Sequence, residues 1–374
     1  MFYLKMSDFL IKILKDLVSF KSITPNDDGA IDYCSEFLSN LGFSCTKLRF
    51  ENVSNLYAKL RDFKKNLCFA GHLDVVPPLE GWSFSPFALT SANGRLYGRG
   101  TNDMKGPLSA CFAAVSDFLQ NNNPEFSISF ILTSDEEVMG DNGTKRVIEF
   151  LKEKRESITG CVLCESCSPG CSGEYIKIGC KGSLNIDLHS SGNQCHVVNS
   201  KGLGNHIHKF IELLHFFSTY KFDDGSENFS PTNLEVTSID VGNNVRNIIS
   251  PYASAKINIR FNDLWNFEML ENFIKLRLDK NTTAFFERFG NPFIGAKKEF
   301  IEFLQAAITK ENRKPEIGTS GGNSDALFIK EITDVVEIGS PIKNAHIINE
   351  YIDIQDLIKL QKIYTAILDN FHDY

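Results

Sequence analysis

Apolar residues in this chain recur in two styles. Over 66–70 (NLCFA), 127–132 (SISFIL) and 160–163 (GCVL) they form short unbroken runs, the mark of strands buried on both faces. Between the first two runs lies MKGPLSACFAAVSDFLQ (104–120), where Leu108, Cys111, Phe112, Val115, Phe118 and Leu119 share one helical face. Pro107 falls in the first turn of that helix, where its missing N–H is harmless. Near the N-terminus Phe9, Leu10, Ile13, Leu14, Leu17 and Val18 also recur at helical spacing, behind Ser7 as a candidate cap. Strands alternating with helices predict an α/β layer with a mostly parallel sheet.

From about Lys181 the pattern changes. SLNIDLHS (183–190) sets Leu184, Ile186 and Leu188 against polar neighbours, and ASAKINIRF (253–261) does the same with Ala255, Ile257, Ile259 and Phe261. Such alternation predicts half-exposed strands. With a helical stretch over 205–217 between them, they predict a small α+β sheet with one solvated face, whose edge could pair with a second copy. Near Asn291 the first style returns, and DVVEIG (334–339) reads as another buried strand. The expected organisation is one domain over 1–180 and 294–374, interrupted by a second over 181–293. There are no internal repeats and no low-complexity tracts.

Composition narrows the class. The 374 residues are 42% hydrophobic and 23% charged, enough for a sizeable core. A formal net charge of −8 without a basic patch argues against nucleic acid or an anionic membrane as partner. Lys5, Lys12 and Lys15 interrupt every apolar run at the N-terminus, so no signal-peptide core forms there and a cytoplasmic protein is expected. Cys161, Cys164, Cys167 and Cys171, four of ten cysteines, follow the C-x₂-C-x₂-C-x₃-C spacing of a bacterial ferredoxin cluster. Three features point away from that rival. Ser172 replaces the usual Pro, no second run exists, and GCVLCE reads as a strand rather than a loop around a cluster. Free thiols in a reducing compartment are the plain alternative.

Polar residues gather where the predicted strands stop. NLCFA ends in His72 and Asp74, SISFIL in Glu136 and Glu137, GCVLC in Glu165, and the loop after DVVEIG carries His346. Asp103 precedes the helix that returns from this edge. The carboxyl ends of strands form the ligand crevice of open α/β sheets. Two imidazoles and several carboxylates converging there have the ligand chemistry of one or two zinc ions.

GHLDVVP (71–77), LYGRGTNDMKG (96–106), TSDEE (133–137) and GGNSD (321–325) resemble the motifs of the dinuclear zinc amidohydrolases. That family includes aminoacylases, acetylornithine deacetylases and desuccinylases. The resemblance implies a zinc-exopeptidase-like catalytic domain interrupted by a dimerisation domain, hence a homodimer. It implies two zinc ions per subunit, for which cobalt can substitute. Asp103 would bridge them, His72 and Glu165 completing one site and Glu137 and His346 the other, with a cis peptide bond at Asp103–Met104. Asp74, two residues beyond His72 on an extended segment, would accept the second ring N–H. Neighbours on an extended chain point apart, so Glu136 would act as general base while Glu137 binds metal. His196 would reach across the dimer to the oxyanion.

Asn244, Arg260, Gly322, Asn323 and Ser324 fall at positions that contact substrate in the relatives. ITPNDDGAIDY (23–33), WSFSPF (82–87) and HIINE (346–350) bring the chain nearest to the desuccinylases. That likeness implies hydrolysis of N-succinyl-LL-2,6-diaminopimelate to succinate and LL-2,6-diaminopimelate, a step toward lysine and peptidoglycan. Another N-acyl-amino-acid deacylase, such as one acting on acetylornithine, is the alternative. Departures from the family pattern include Asn323 for Thr, Leu327 for Arg, H-V-V-N-S (196–200) for H-V-A-Y-P with Asn199 in place of Tyr, and Cys164-Glu165-Ser166 for G-E-P.

Overall fold

The computed structural model describes residues 2–138, 140–311 and 313–374. The chain divides into two units, one running to Gly179 and resuming over Gly295–Gly318 and Ser324–Tyr374, the other made of Cys180–Ile294 and Thr319–Asn323.

In the larger unit the unbroken apolar runs lie side by side. Across the sheet the strands follow the order Ser44–Phe50, Val53–Leu60, Ser127–Thr133, Asn66–His72, Gly160–Leu163, Val335–Glu337 and Tyr175–Cys180. The four from Ser127–Thr133 to Val335–Glu337 are parallel, and the pairings outside them are antiparallel. Their side chains are apolar on both faces because helices cover them. Lys105–Asn121 packs against Phe2–Ser19 and Ile354–Asn370. At the centre the Phe130 ring meets Phe43, Phe69 and Phe112 with centroids 5.7, 5.7 and 5.3 Å away. Each buried ring of this kind contributes about 1.5–3 kcal/mol. The first helix starts at Phe2, so Ser7 lies inside it and does not cap it. Nothing in the upstream FYLKM breaks a helix, which is why it continues past that residue. Among the described residues no helix is long and apolar enough to cross a membrane.

The smaller unit has its own core. Antiparallel strands run in the order Asn233–Asp240, Tyr252–Phe261, Gly182–Ser191 and Thr282–Gly290. Leu184, Ile186, Leu188, Ile257 and Ile259 point inward, onto Phe210, Leu214 and Phe217 of one helix and Leu270 and Phe273 of another. Asn205 starts the first helix by accepting from Ile207 N (3.0 Å), and Asn266 starts the second by accepting from Met269 N (2.9 Å). Asp187, His189, Glu235 and Lys256 stand on the opposite, exposed face. Both strands read from alternation are central. The two edge strands were not legible because register shifts, at Val236/Ser238 and at Arg288/Gly290, break their period of two.

Candidate metal centre

The four parallel strands deliver their polar residues to one edge of the larger unit. His72 closes its strand and is buried. Its Nδ1 meets the main-chain oxygen of Asp74 at 2.9 Å, whereas the Asp74 carboxylate lies 3.7 Å away. This corrects the expected side-chain bond. The strand stops at His72, so residues 72 and 74 no longer share a face, and the carbonyl turns to the ring instead. The Asp74 carboxylate accepts from Glu136 N (3.3 Å) and Glu137 N (3.1 Å), fastening the next strand's end to this one.

Glu136 and Glu137 also differ from expectation, since they sit in a turn rather than on extended chain. The turn still sends them apart. Glu137 Oε1 lies 3.0 Å from His346 Nε2, and Glu136 Oε2 lies 3.9 Å from His72 Nε2. Asp135 closes the turn by accepting from Asn142 N (2.9 Å).

Asp103 stands between the two imidazoles. Its Oδ1 is 3.3 Å from His72 Nε2 and its Oδ2 is 3.3 Å from His346 Nε2. The Asp103–Met104 peptide is cis, as the resemblance implied. Burial pushes the Asp103 carboxyl up, but hydrogen bonds with His346 and His72 outweigh it and hold it well below the usual carboxylate range. Burial opposes charge on His72, yet Asp103, Glu165 and Glu136 together raise it well above its ordinary value. Hydrogen bonds to Asp103 and Glu137 push His346 up to about 10. Burial lifts Glu136 and Glu165 well above an ordinary carboxyl, with nearby carboxylates adding to it.

Two triads of side chains therefore meet: His72, Asp103 and Glu165, and Asp103, Glu137 and His346. Within each, one donor atom per residue lies within 4.8 Å of the others. Glu165 Oε1 accepts from Ser166 N (2.9 Å), but its buried Oε2 has no hydrogen-bond partner, with His72 Nε2 3.6 Å away. A buried carboxylate oxygen without a donor, beside the Asp103 and Glu136 carboxylates that raise its proton affinity, is a place where a cation would be stabilised. Nitrogen and oxygen donors in this number fit divalent cations such as zinc.

No cysteine belongs to such a triad among the described residues. Cys161 pairs in register with Cys68 across two strands, the Cys164 thiol lies beside that of Cys111 on the covering helix, and Cys171 is exposed. Exposed Cys171 is thereby set apart from the three buried thiols of the ferredoxin-like run.

Other residues singled out by motif are not brought into these triads. His196, Asn244, Arg260, Gly322 and Asn323 belong to the smaller unit. Exposed His196 accepts from Val198 N (3.3 Å), and Asn244 is exposed. Arg260 Nη1 donates to Gly321 O (3.1 Å), and its Nε to Asn258 Oδ1 (2.9 Å). With its amide oriented to suit its neighbours, Asn323 accepts from Arg260 and donates to Lys181 O, both at 3.0 Å. Ser324 lies in the larger unit, and its hydroxyl donates to buried Glu337 Oε1 (2.6 Å). Motif reading passed over Glu337 and also over Glu350, which accepts from the main-chain N–H groups of Asn102 (2.8 Å) and Asp103 (3.0 Å). Glu350 closes the HIINE stretch, and a charged residue directly before the apolar YI of a short strand was the available signal.

Residues 68–370 match the model of peptidase family M20/M25/M40. The chain is 40% identical over 365 residues to a succinyl-diaminopimelate desuccinylase of Orientia tsutsugamushi, covering 95% of this chain and 94% of the relative. One from Pelagibacter ubique is 39% identical over 377 residues, covering 96% and 98%. Among solved structures, an M20 family metallo-carboxypeptidase from Sulfolobus solfataricus shares the fold with a TM-score of 0.80 at 19% identity, over 98% of this chain and 99% of that one. The family match and the near-complete coverage of curated relatives lead to one conclusion: the chain belongs to peptidase family M20/M25/M40.

Proposed function

We propose that the protein hydrolyses N-succinyl-LL-2,6-diaminopimelate to succinate and LL-2,6-diaminopimelate, in the cytoplasm, as a homodimer carrying two zinc ions per subunit. The observation that carries the hydrolytic chemistry is the Asp103 carboxylate, whose two oxygens each face a different imidazole at 3.3 Å. The substrate rests on curated relatives about 40% identical over nearly the whole chain and named for that desuccinylation.

In this reading His72, Asp103 and Glu165 hold one cation and Asp103, Glu137 and His346 the other, with cobalt able to replace zinc. Bound there, two cations would polarise the amide carbonyl and lower the pKa of water. Glu136 takes a proton from the water that attacks the carbonyl carbon. It then delivers that proton to the amide nitrogen as the C–N bond breaks, so the free amine leaves and the acid remains. Asp74 acts through the backbone, fixing the turn from which Glu136 reaches the reacting atoms. The inserted domain, 181–293, is assigned to dimerisation, and His196 from the second copy donates to the oxyanion. Asn244, Arg260, Gly322, Asn323 and Ser324 are assigned to the substrate, with Arg260 offering its fork to a carboxylate.

The deciding experiment supplies zinc-loaded protein with N-succinyl-diaminopimelate and N-acetylornithine side by side. A strong preference for the succinyl compound is expected. Turnover of the acetyl compound alone would keep the metal chemistry and replace the substrate by that of an acetylornithine deacetylase.

A further inference from the structure

Glu350 has no place in the mechanism so far, yet its carboxylate is completely buried and fully engaged. Oε1 accepts from Asn102 N (2.8 Å) and Asp103 N (3.0 Å), and Oε2 accepts from Arg99 Nη1 (2.6 Å). Arg99 is itself buried, with its guanidinium carbon 5.1 Å from the Trp82 ring centroid. A buried ion pair of this kind gives weak support to stability, because desolvation offsets much of the attraction. It does fix geometry, and the geometry here is specific.

The main chain adds to the same seam. Gly98 N donates to Glu350 O (3.0 Å), Asn102 Nδ2 to Pro341 O (2.9 Å), and Ser340 Oγ to Asn102 O (2.7 Å). Every one of these bonds joins the loop that presents Asp103 to the segment that presents His346. Between them, His346 Nε2 stands 3.3 Å from Asp103 Oδ2. His346 adopts a positive φ of 59°, a conformation that side-chain-bearing residues rarely take, so its own loop does not hold it passively.

From this arrangement we infer that Glu350 is a positioning residue for the cation held by Asp103, Glu137 and His346: through Arg99 and two backbone N–H groups it locks the His346 segment to the Asp103 loop, so that the ligands from both segments arrive at the ion together. The inference rests on the metal reading given above. Glu350 touches neither ion nor substrate, and its effect passes entirely through the placement of Asp103 and His346.

Zinc titration of metal-free protein by calorimetry, with His346→Ala, Glu350→Gln and the double variant, tests the idea. His346→Ala checks the metal reading first: it should lose one tightly bound zinc per chain, and if both remain, that reading fails. Glu350→Gln should weaken one of the two sites about 10–100-fold, the usual effect of altering a residue that orients a ligand. Added to His346→Ala, it should weaken the remaining site less, because Asp103 is then the one ligand that it still helps to place. Two wild-type affinities in folded Glu350→Gln, or equal weakening of the remaining site in the double variant, overturn the inference while leaving the metal reading intact. If Glu350→Gln does not fold, Arg99→Lys loosens the same carboxylate from its other side and should weaken the same site. Failure of both to fold makes the network structural and also overturns the positioning role.

Discussion

At the scale of single residues, the turn at 135–137 separates two neighbouring carboxylates by environment as well as direction. Glu137 is held against His346, while Glu136 approaches His72 without a hydrogen-bonding distance and, half-buried among other carboxylates, keeps a raised affinity for its proton through desolvation. A carboxylate that coordinates nothing and holds a proton readily suits transfer in both directions. Glu136→Gln should therefore bind two zinc ions as the parent does while turnover falls about 10²–10⁴-fold. Metal analysis with steady-state rates checks both halves, and near-parental turnover would remove Glu136 from the chemistry. The ends of the apolar runs pointed to all five members of the triads together with Asp74 and Glu136, and the family resemblance sorted the ligands from the base. Spacing misassigned the partner of the His72 ring. The choice between a carboxylate and a carbonyl two residues on depends on where the strand stops, which periodicity does not resolve.

Elements matter through how closely their ends approach. Glu165 leaves one parallel strand beside Gly339, which follows the next, and a Cβ on Gly339 would stand 2.1 Å from the Glu165 carbonyl oxygen. No rotamer relieves a clash between a Cβ and main chain, so the strand end must move. Gly339→Ala is expected to displace Glu165, lower the zinc content toward one ion per chain, and destabilise the fold by about 1–3 kcal/mol, as overpacking does. Urea unfolding and metal analysis together measure this, and an alanine variant with full zinc and a parental midpoint would show that the strands can part freely. Buried parallel strands are the most legible elements in this chain, since burial on both faces leaves little polar interruption. The edge strands of the smaller unit were missed for the converse reason: NLEVTSID and TTAFFERFG bury little and change register midway.

On the scale of the whole molecule, the triads come entirely from one unit, while His196 and most of the residues assigned to substrate come from the other. If His196 serves the neighbouring subunit, Glu136→Gln and His196→Ala lie in different halves of one composite site. Each variant alone should be poorly active. Dimers assembled from an equal mixture should recover up to roughly a quarter of parental activity, since half are mixed and each mixed dimer has one intact site. A mixture no better than its parents would place His196 within its own subunit or outside the reaction. This level was the least legible, because assembly depends on surfaces whose alternation of polar and apolar residues records exposure but not who covers it.

The side chains that surround Asp103 are scattered along the chain from His72 to His346. During synthesis, a nascent chain that has not reached His346 offers the first triad alone, without the closing imidazole and without Glu350 to steady the loop of Asp103. On the two-cation reading, full metal acquisition would wait until His346 and Glu350 have been synthesised.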